Sequence, residues 1–166
     1  MKLVAIIEAL NTWIARIAAV ILALMAVLIL LEILLWNTLN KSMIIADEYS
    51  AYGLAAIVFL GAGHCLKQRG HIRISIVLRL LPKNAERVIT FVVTVICTIF
   101  MGYLLMNLYQ MTAEAFRYGS TSGTLSNTKL WIPKSLMVIG GFFFFLQLIA
   151  ASINTLLGIS RGEDVF

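Results

Sequence analysis

The sequence predicts an all-α integral membrane protein built from four transmembrane helices, and three observations carry that prediction. The chain has 166 residues, of which 61% are apolar and only 13% charged. Soluble domains carry about 25% charged residues. The apolar residues fall into four long runs, each near the ~20 residues a helix needs to cross a bilayer. The basic residues, by contrast, gather in one connector between two of those runs. A soluble domain of this size could not hide so much apolar surface, whereas a bilayer can accept it.

The first span is expected over residues 14–39. Trp13 and Trp36 bracket it, about 35 Å apart along a helix, so one indole falls near each interface. The second span, residues 48–66, is the shortest. It is lined with small residues, among them Gly53, Gly61 and Gly63. The third, residues 86–113, and the fourth, residues 134–158, carry uncharged stretches that can exceed the hydrocarbon thickness, so tilt or extension into water is expected. These spans form a single membrane domain over residues 1–166.

Charge sets the orientation. The net charge is +5, which here bears on topology; no basic patch on a soluble fold suggests nucleic acid. Cytoplasmic loops collect Lys and Arg. With four spans, both termini and the connector between spans two and three share a side. That side holds nine of the 13 basic residues (Lys2, Arg16, Lys67, Arg69, Arg73, Arg79, Lys83, Arg87, Arg161) and the other holds four (Lys41, Arg117, Lys129, Lys134). Both termini are therefore expected in the cytoplasm. Within the connector, Lys67, Arg69, Arg73, Arg79 and Lys83 are candidate anchors to lipid headgroups.

Three of the segments outside the spans are informative. Residues 1–11 read either as an N-terminal helix lying in the interface or as a frayed end of the first span. A thin basic start at Lys2, interrupted by Glu8 and Arg16, does not resemble a cleaved signal. The connector alternates over Ile72 to Ile76 and then breaks that pattern before Pro82. An amphipathic arm in the interface is favoured there, although a strand-like reading remains open. The loop between spans three and four is rich in Gly, Ser, Thr and Asn, which marks turns.

Few polar side chains enter the spans. Glu32 lies in an apolar run, where a carboxylate is by default a candidate for proton or cation chemistry. Trp36, one turn later, places it away from the midplane and favours a structural role. Thr90, Thr94, Thr98 and Gly102 recur every four residues. Such a ridge lets another backbone approach, while each threonine can also bond its own i−4 carbonyl. His64 and His71 have no acidic neighbour from Gly63 to Asn84, too thin a set for a metal. Cys65 and Cys97 show no metal or redox spacing and are expected as free thiols. No nucleophile–base pair or phosphate-cradling loop stands out, so neither enzyme activity nor a cofactor is expected.

The stretch Gly61-Ala62-Gly63-His64-Cys65-Leu66-Lys67-Gln68-Arg69-Gly70-His71-Ile72-Arg73-Ile74-Ser75, followed by Leu80-Leu81-Pro82, resembles one family. It is similar to the small four-helix membrane subunit, DctQ or SiaQ type, of tripartite ATP-independent periplasmic (TRAP) transporters. The motif residues are Asp47 and Glu48 opening span two, then Gly70, His71, Ile72, Arg73 and Pro82. Ile132-Pro133 opening span four also fits; where Ser75 stands the family usually has an acid. The resemblance implies a non-catalytic scaffold subunit of a sodium-driven importer of an organic acid, of the sialic acid or C4-dicarboxylate type, in the bacterial inner membrane. It implies two protein partners, a large membrane subunit and a periplasmic substrate-binding protein, beside membrane lipids. Packing candidates toward a partner are Gly53, Gly61, Gly63, Thr90, Thr94, Thr98 and Gly102. Two other classes compete: a self-sufficient proton-coupled cation exporter using Glu32, and an accessory subunit of a cofactor-bearing membrane enzyme.

Overall fold

The computed structural model describes residues 2–43, 45–68, 83–124 and 126–161. They form four α-helices: α1 (Lys2–Leu39), α2 (Ile45–Lys67), α3 (Lys83–Arg117) and α4 (Trp131–Arg161). All four are long and apolar enough to cross a membrane. Each covers an expected span and extends beyond it. The connector carrying Arg69, Gly70, His71, Ile72, Arg73, Arg79 and Pro82 lies outside the described residues, and so does its expected amphipathic arm.

The expected separate N-terminal interfacial helix is corrected by the structure. Residues 2–39 form one uninterrupted helix of 38 residues, about 57 Å long. The physical reason is plain in its composition. Neither Gly nor Pro occurs in it, so nothing breaks the hydrogen-bond ladder between the polar start and the apolar run. Asn40, at φ 48°, ends it. Asn tolerates this left-handed conformation better than other side-chain-bearing residues, and its N–H bonds the Trp36 carbonyl at 3.1 Å.

Local signals fix the other ends. Asp47 and Glu48 occupy the first turn of α2 and Lys67 its last, each favourable to the helix dipole. Helix α3 closes in a Schellman turn: the N–H of Gly119 bonds the Phe116 carbonyl at 3.3 Å, and that of Ser120 bonds the Ala115 carbonyl at 3.0 Å. The turn needs a left-handed residue, and Gly119 supplies it at φ 62°. Pro133 sits in the first turn of α4, where its missing N–H costs no ladder bond.

The helices pack as an open row, not a closed bundle. Helix α1 lies on α2, α2 on α4, and α4 on α3, with a smaller contact between α1 and α4. Burial follows that order. Only 6% of the apolar window is buried in each of the outer helices α1 and α3, against 17% in α2 and 28% in α4. The core is a three-helix seam of Ile14 and Ala18 from α1 with Ala56 and Leu60 from α2, joined by Ile21, Leu136 and Phe143. Glycine permits the central crossing. A Cβ built on Gly140 would lie 2.6 Å from the Phe59 carbonyl carbon and 2.7 Å from the Leu60 nitrogen, so α2 and α4 meet backbone to backbone.

Candidate functional site

Polar side chains collect at the two ends of the row. One end holds the start of α1, the end of α2 and the C-terminal half of α4; it is called the terminal end here. The opposite end carries the connection from α1 to α2 and the 118–130 loop, and is called the loop end.

At the terminal end, Asn11 is completely buried and Gln147 is 5% exposed. Asn11 Nδ2 donates to the Ile7 carbonyl and to Gln147 Oε1, each at 3.0 Å. The second bond ties α1 to α4. Asn11 Oδ1 has no partner and faces Gly63 of α2, where any Cβ would overlap it. Three helices thus converge on one amide. Beside it, Lys67 Nζ bonds Thr12 Oγ1 at 3.3 Å and the Glu8 carbonyl at 3.5 Å, and lies 3.7 Å from the Glu8 carboxylate. Lys67, expected at the lipid surface, is engaged by α1. The partly exposed ion pair contributes little on its own. One turn earlier, His64 Nε2 meets Gln68 Nε2 at 2.9 Å.

At the loop end two carboxylates are held by the chain's own donors. Glu32 Oε1 accepts the Ser42 hydroxyl at 2.6 Å, and Oε2 accepts the Met43 N–H at 2.7 Å. Both oxygens fasten the short connection between α1 and α2. Glu48 accepts the Tyr52 hydroxyl at 2.8 Å and the Ser126 hydroxyl at 2.6 Å, with the Thr124 hydroxyl as a third donor. Ser122 and Thr128 join through Thr124 and Ser126, at 2.7 and 2.8 Å. Thr128 also reaches the Tyr49 hydroxyl at 3.4 Å. The loop is shaped by positive φ at Gly123 and Asn127 and by an isolated bridge between Thr121 and Lys129. The turn-rich composition anticipates a loop; it does not show that Glu48 gathers it.

The small-residue candidates meet the chain's own helices. Gly53 faces the Met25 side chain, Gly63 faces Asn11, and Gly102 lies so close to Phe145 that a Cβ would come within 3.3 Å of the ring, tighter than an ordinary contact. Gly61 has open space. Thr94 and Thr98 bond the i−4 carbonyls of Thr90 and Thr94 at 2.7 Å, and Thr98 also meets Ser152 of α4 at 3.3 Å. Cys65 and Cys97 are free and exposed. Lys83 begins α3, while Asp47 stands exposed beside Glu48. Sequence reading missed Asn11 and Gln147 as a pair. The available signal was an amide in each of two apolar runs, since a polar group at membrane depth seeks a partner.

Among the described residues, no three His, Cys, Asp or Glu side chains come together. Among the described residues the polar groups tie helices and loops to each other and do not form a continuous path along the row. This geometry defines a multi-pass membrane protein whose described polar groups serve its own architecture. Comparison with known proteins then gives the family. Residues 25–158 match the model of the DctQ component of tripartite ATP-independent periplasmic transporters. The chain belongs to that family and is a multi-pass protein of the inner membrane. It is also 27% identical over 149 residues to a Haemophilus influenzae protein named "Putative TRAP transporter small permease protein", covering 86% of this chain and 87% of that one. No solved structure matches the chain.

Proposed function

We propose that this chain is the non-catalytic scaffold of a TRAP importer: it braces a large membrane subunit that moves an organic acid, and helps a periplasmic binding protein dock. The carrying observation is the open row. Two inner helices are packed through small residues and tied by polar contacts, while α1 and α3 leave their apolar windows almost wholly uncovered. Such a row is a broad plank with lateral faces for lipid or a larger subunit. Gly53 and Gly63 of α2 are spent on packing within the chain, whereas Gly61 faces open space, so the partner's surface is assigned chiefly to the outer faces of α1 and α3. The termini are placed in the cytoplasm, with the loop end in the periplasm, on the nine-to-four distribution of basic residues.

Sodium coupling and a cargo of the sialic acid or C4-dicarboxylate type follow from the family reading, and would reside in the partners. The cation-exporter alternative loses its support, because both Glu32 oxygens are occupied by Ser42 and Met43. Co-expression with the large subunit provides the test. The two chains should copurify in a fixed ratio; recovery of this chain solely as copies of itself would contradict the scaffold role.

A further inference from the structure

We propose that Glu48 is the positioning residue of the loop end: it holds residues 118–124 and 126–130 in one conformation, and the soluble binding protein contacts that preset loop. The inference rests on the docking role proposed above and adds the residue that makes it work.

Donor accounting supports the first half. A hydroxyl has one proton to give. Tyr52, Thr124 and Ser126 direct theirs to the Glu48 carboxylate. Ser122 and Thr128 can pass theirs to Thr124 and Ser126. The carboxylate is therefore met by donors on both oxygens, and the loop hydroxyls close into a clasp around it, with Thr128 also reaching the Tyr49 hydroxyl at 3.4 Å. Glu48 itself is fixed in the first turn of α2, which is wedged between α1 and α4. The loop is thus fastened to an inner helix of the row, and not only to the ends of α3 and α4 from which it emerges.

The second half comes from the alternation of the loop. Ser122, Thr124, Ser126 and Thr128 are in the cluster, and of these only Thr124 is exposed, whereas Thr121, Gly123, Asn127 and Lys129 all are. The clasp thereby presents a hydroxyl, an open backbone at Gly123, an amide and an ammonium on its outer side. That surface is polar, and Lys129 adds one positive charge to it. It suits a hydrogen-bonding, acidic protein surface better than acyl chains. A partner that recognises one loop conformation binds in proportion to the population of that conformation. Releasing the clasp lowers that population without touching the recognised groups.

The test uses the assembled transporter in proteoliposomes, with uptake measured against the concentration of purified binding protein. Glu48→Ala should raise the half-saturating concentration roughly tenfold and leave the maximal rate within about twofold. Glu48→Gln, which keeps the acceptor oxygen and loses the charge, should fall between wild type and Glu48→Ala. Asp47→Asn, its exposed neighbour, should change neither parameter. Loop order is read separately by a spin label at the exposed position Thr121→Cys, with Cys65 and Cys97 replaced by Ser; the label should become mobile in Glu48→Ala. An equally ordered label in Glu48→Ala would overturn the positioning role. A mobilised label with an unchanged half-saturating concentration would overturn the contact with the binding protein. A fall in maximal rate alone, shared by Glu48→Gln, would show a damaged fold and also overturn the proposal. Uptake that never depends on the binding protein would defeat the docking role itself, and the label would still decide the clasp.

Discussion

Replacing Gly140 by alanine should separate the two inner helices. The added Cβ would sit 2.6 Å from the Phe59 carbonyl carbon, 2.7 Å from the Leu60 nitrogen and 2.8 Å from the Phe59 oxygen. Ordinary carbon contacts lie at about 3.5–4.0 Å, so α2 and α4 must part by about 1 Å. No side chain can swing aside, because the obstructing atoms are backbone. A gap of that size forfeits a quarter to a half of each contact's dispersion energy. In lipid that loss is serious, since packing rather than water exclusion holds helices together. The seam of Ile14, Ala18, Ala56 and Leu60 includes the adjacent Leu60 and would loosen with it. Overpacking of this kind costs about 1–3 kcal/mol, and backbone obstruction puts Gly140→Ala at about 2–3 kcal/mol. Reversible unfolding in mixed micelles, followed through the three tryptophans, would measure it. Gly61→Ala is the control, since nothing lies within 4 Å of its Cβ; it should stay within about 0.5 kcal/mol of wild type. Equal effects at the two glycines would refute the argument.

Two further substitutions separate structural from transport roles. Asn11→Ala leaves Gln147 Oε1 without the Asn11 donor and should cost about 1–2 kcal/mol in the same unfolding assay. Asn11→Leu combined with Gln147→Leu should cost less than the sum of the two single changes, which a double-mutant cycle would read as coupling. Glu32→Gln weakens its bonds to Ser42 and Met43 and should lower stability by about 1 kcal/mol. Uptake by the assembled transporter should persist in that variant, measured as initial rate; abolished uptake would return Glu32 to a functional role.

The helices were legible because lipid leaves the backbone few choices. Four runs of apolar residues can satisfy their own N–H and C=O groups only as helices, and the runs are visible in composition alone. The continuity of α1 was harder to read, since Lys2, Glu8 and Asn11 resemble the polar face of a separate interfacial helix. What decides it is the lack of a breaker between residues 2 and 39. Gly140 and Gly141 suggested close approach, but only the fold reveals that Gly140 meets the Phe59 backbone while Gly61 meets nothing. The threonine ridge illustrates the same gap. Its spacing allowed packing or i−4 bonding, and Thr98 does both.

Contacts distant in sequence were the least legible part. Asn11 and Gln147 are 136 residues apart, and Glu48 and Ser126 are 78 apart. Neither pairing follows from local periodicity. Asp47 and Glu48 were visible as a motif, but not which of the two holds the loop. The order of the row also escaped sequence reading, because apolar faces turned to lipid and to protein are alike in composition. The small residues of α2 show the consequence: they were candidates for a partner surface, and Gly53 and Gly63 are used inside the chain.

The central claim is that this chain braces a transporter and provides no route for solute itself. Uptake of labelled organic acid into sealed vesicles tests it most directly, with a sodium gradient imposed throughout. Vesicles holding only this chain should show no uptake above empty vesicles, and the complete three-protein set should restore it. Accumulation of the acid by this chain alone would contradict the account.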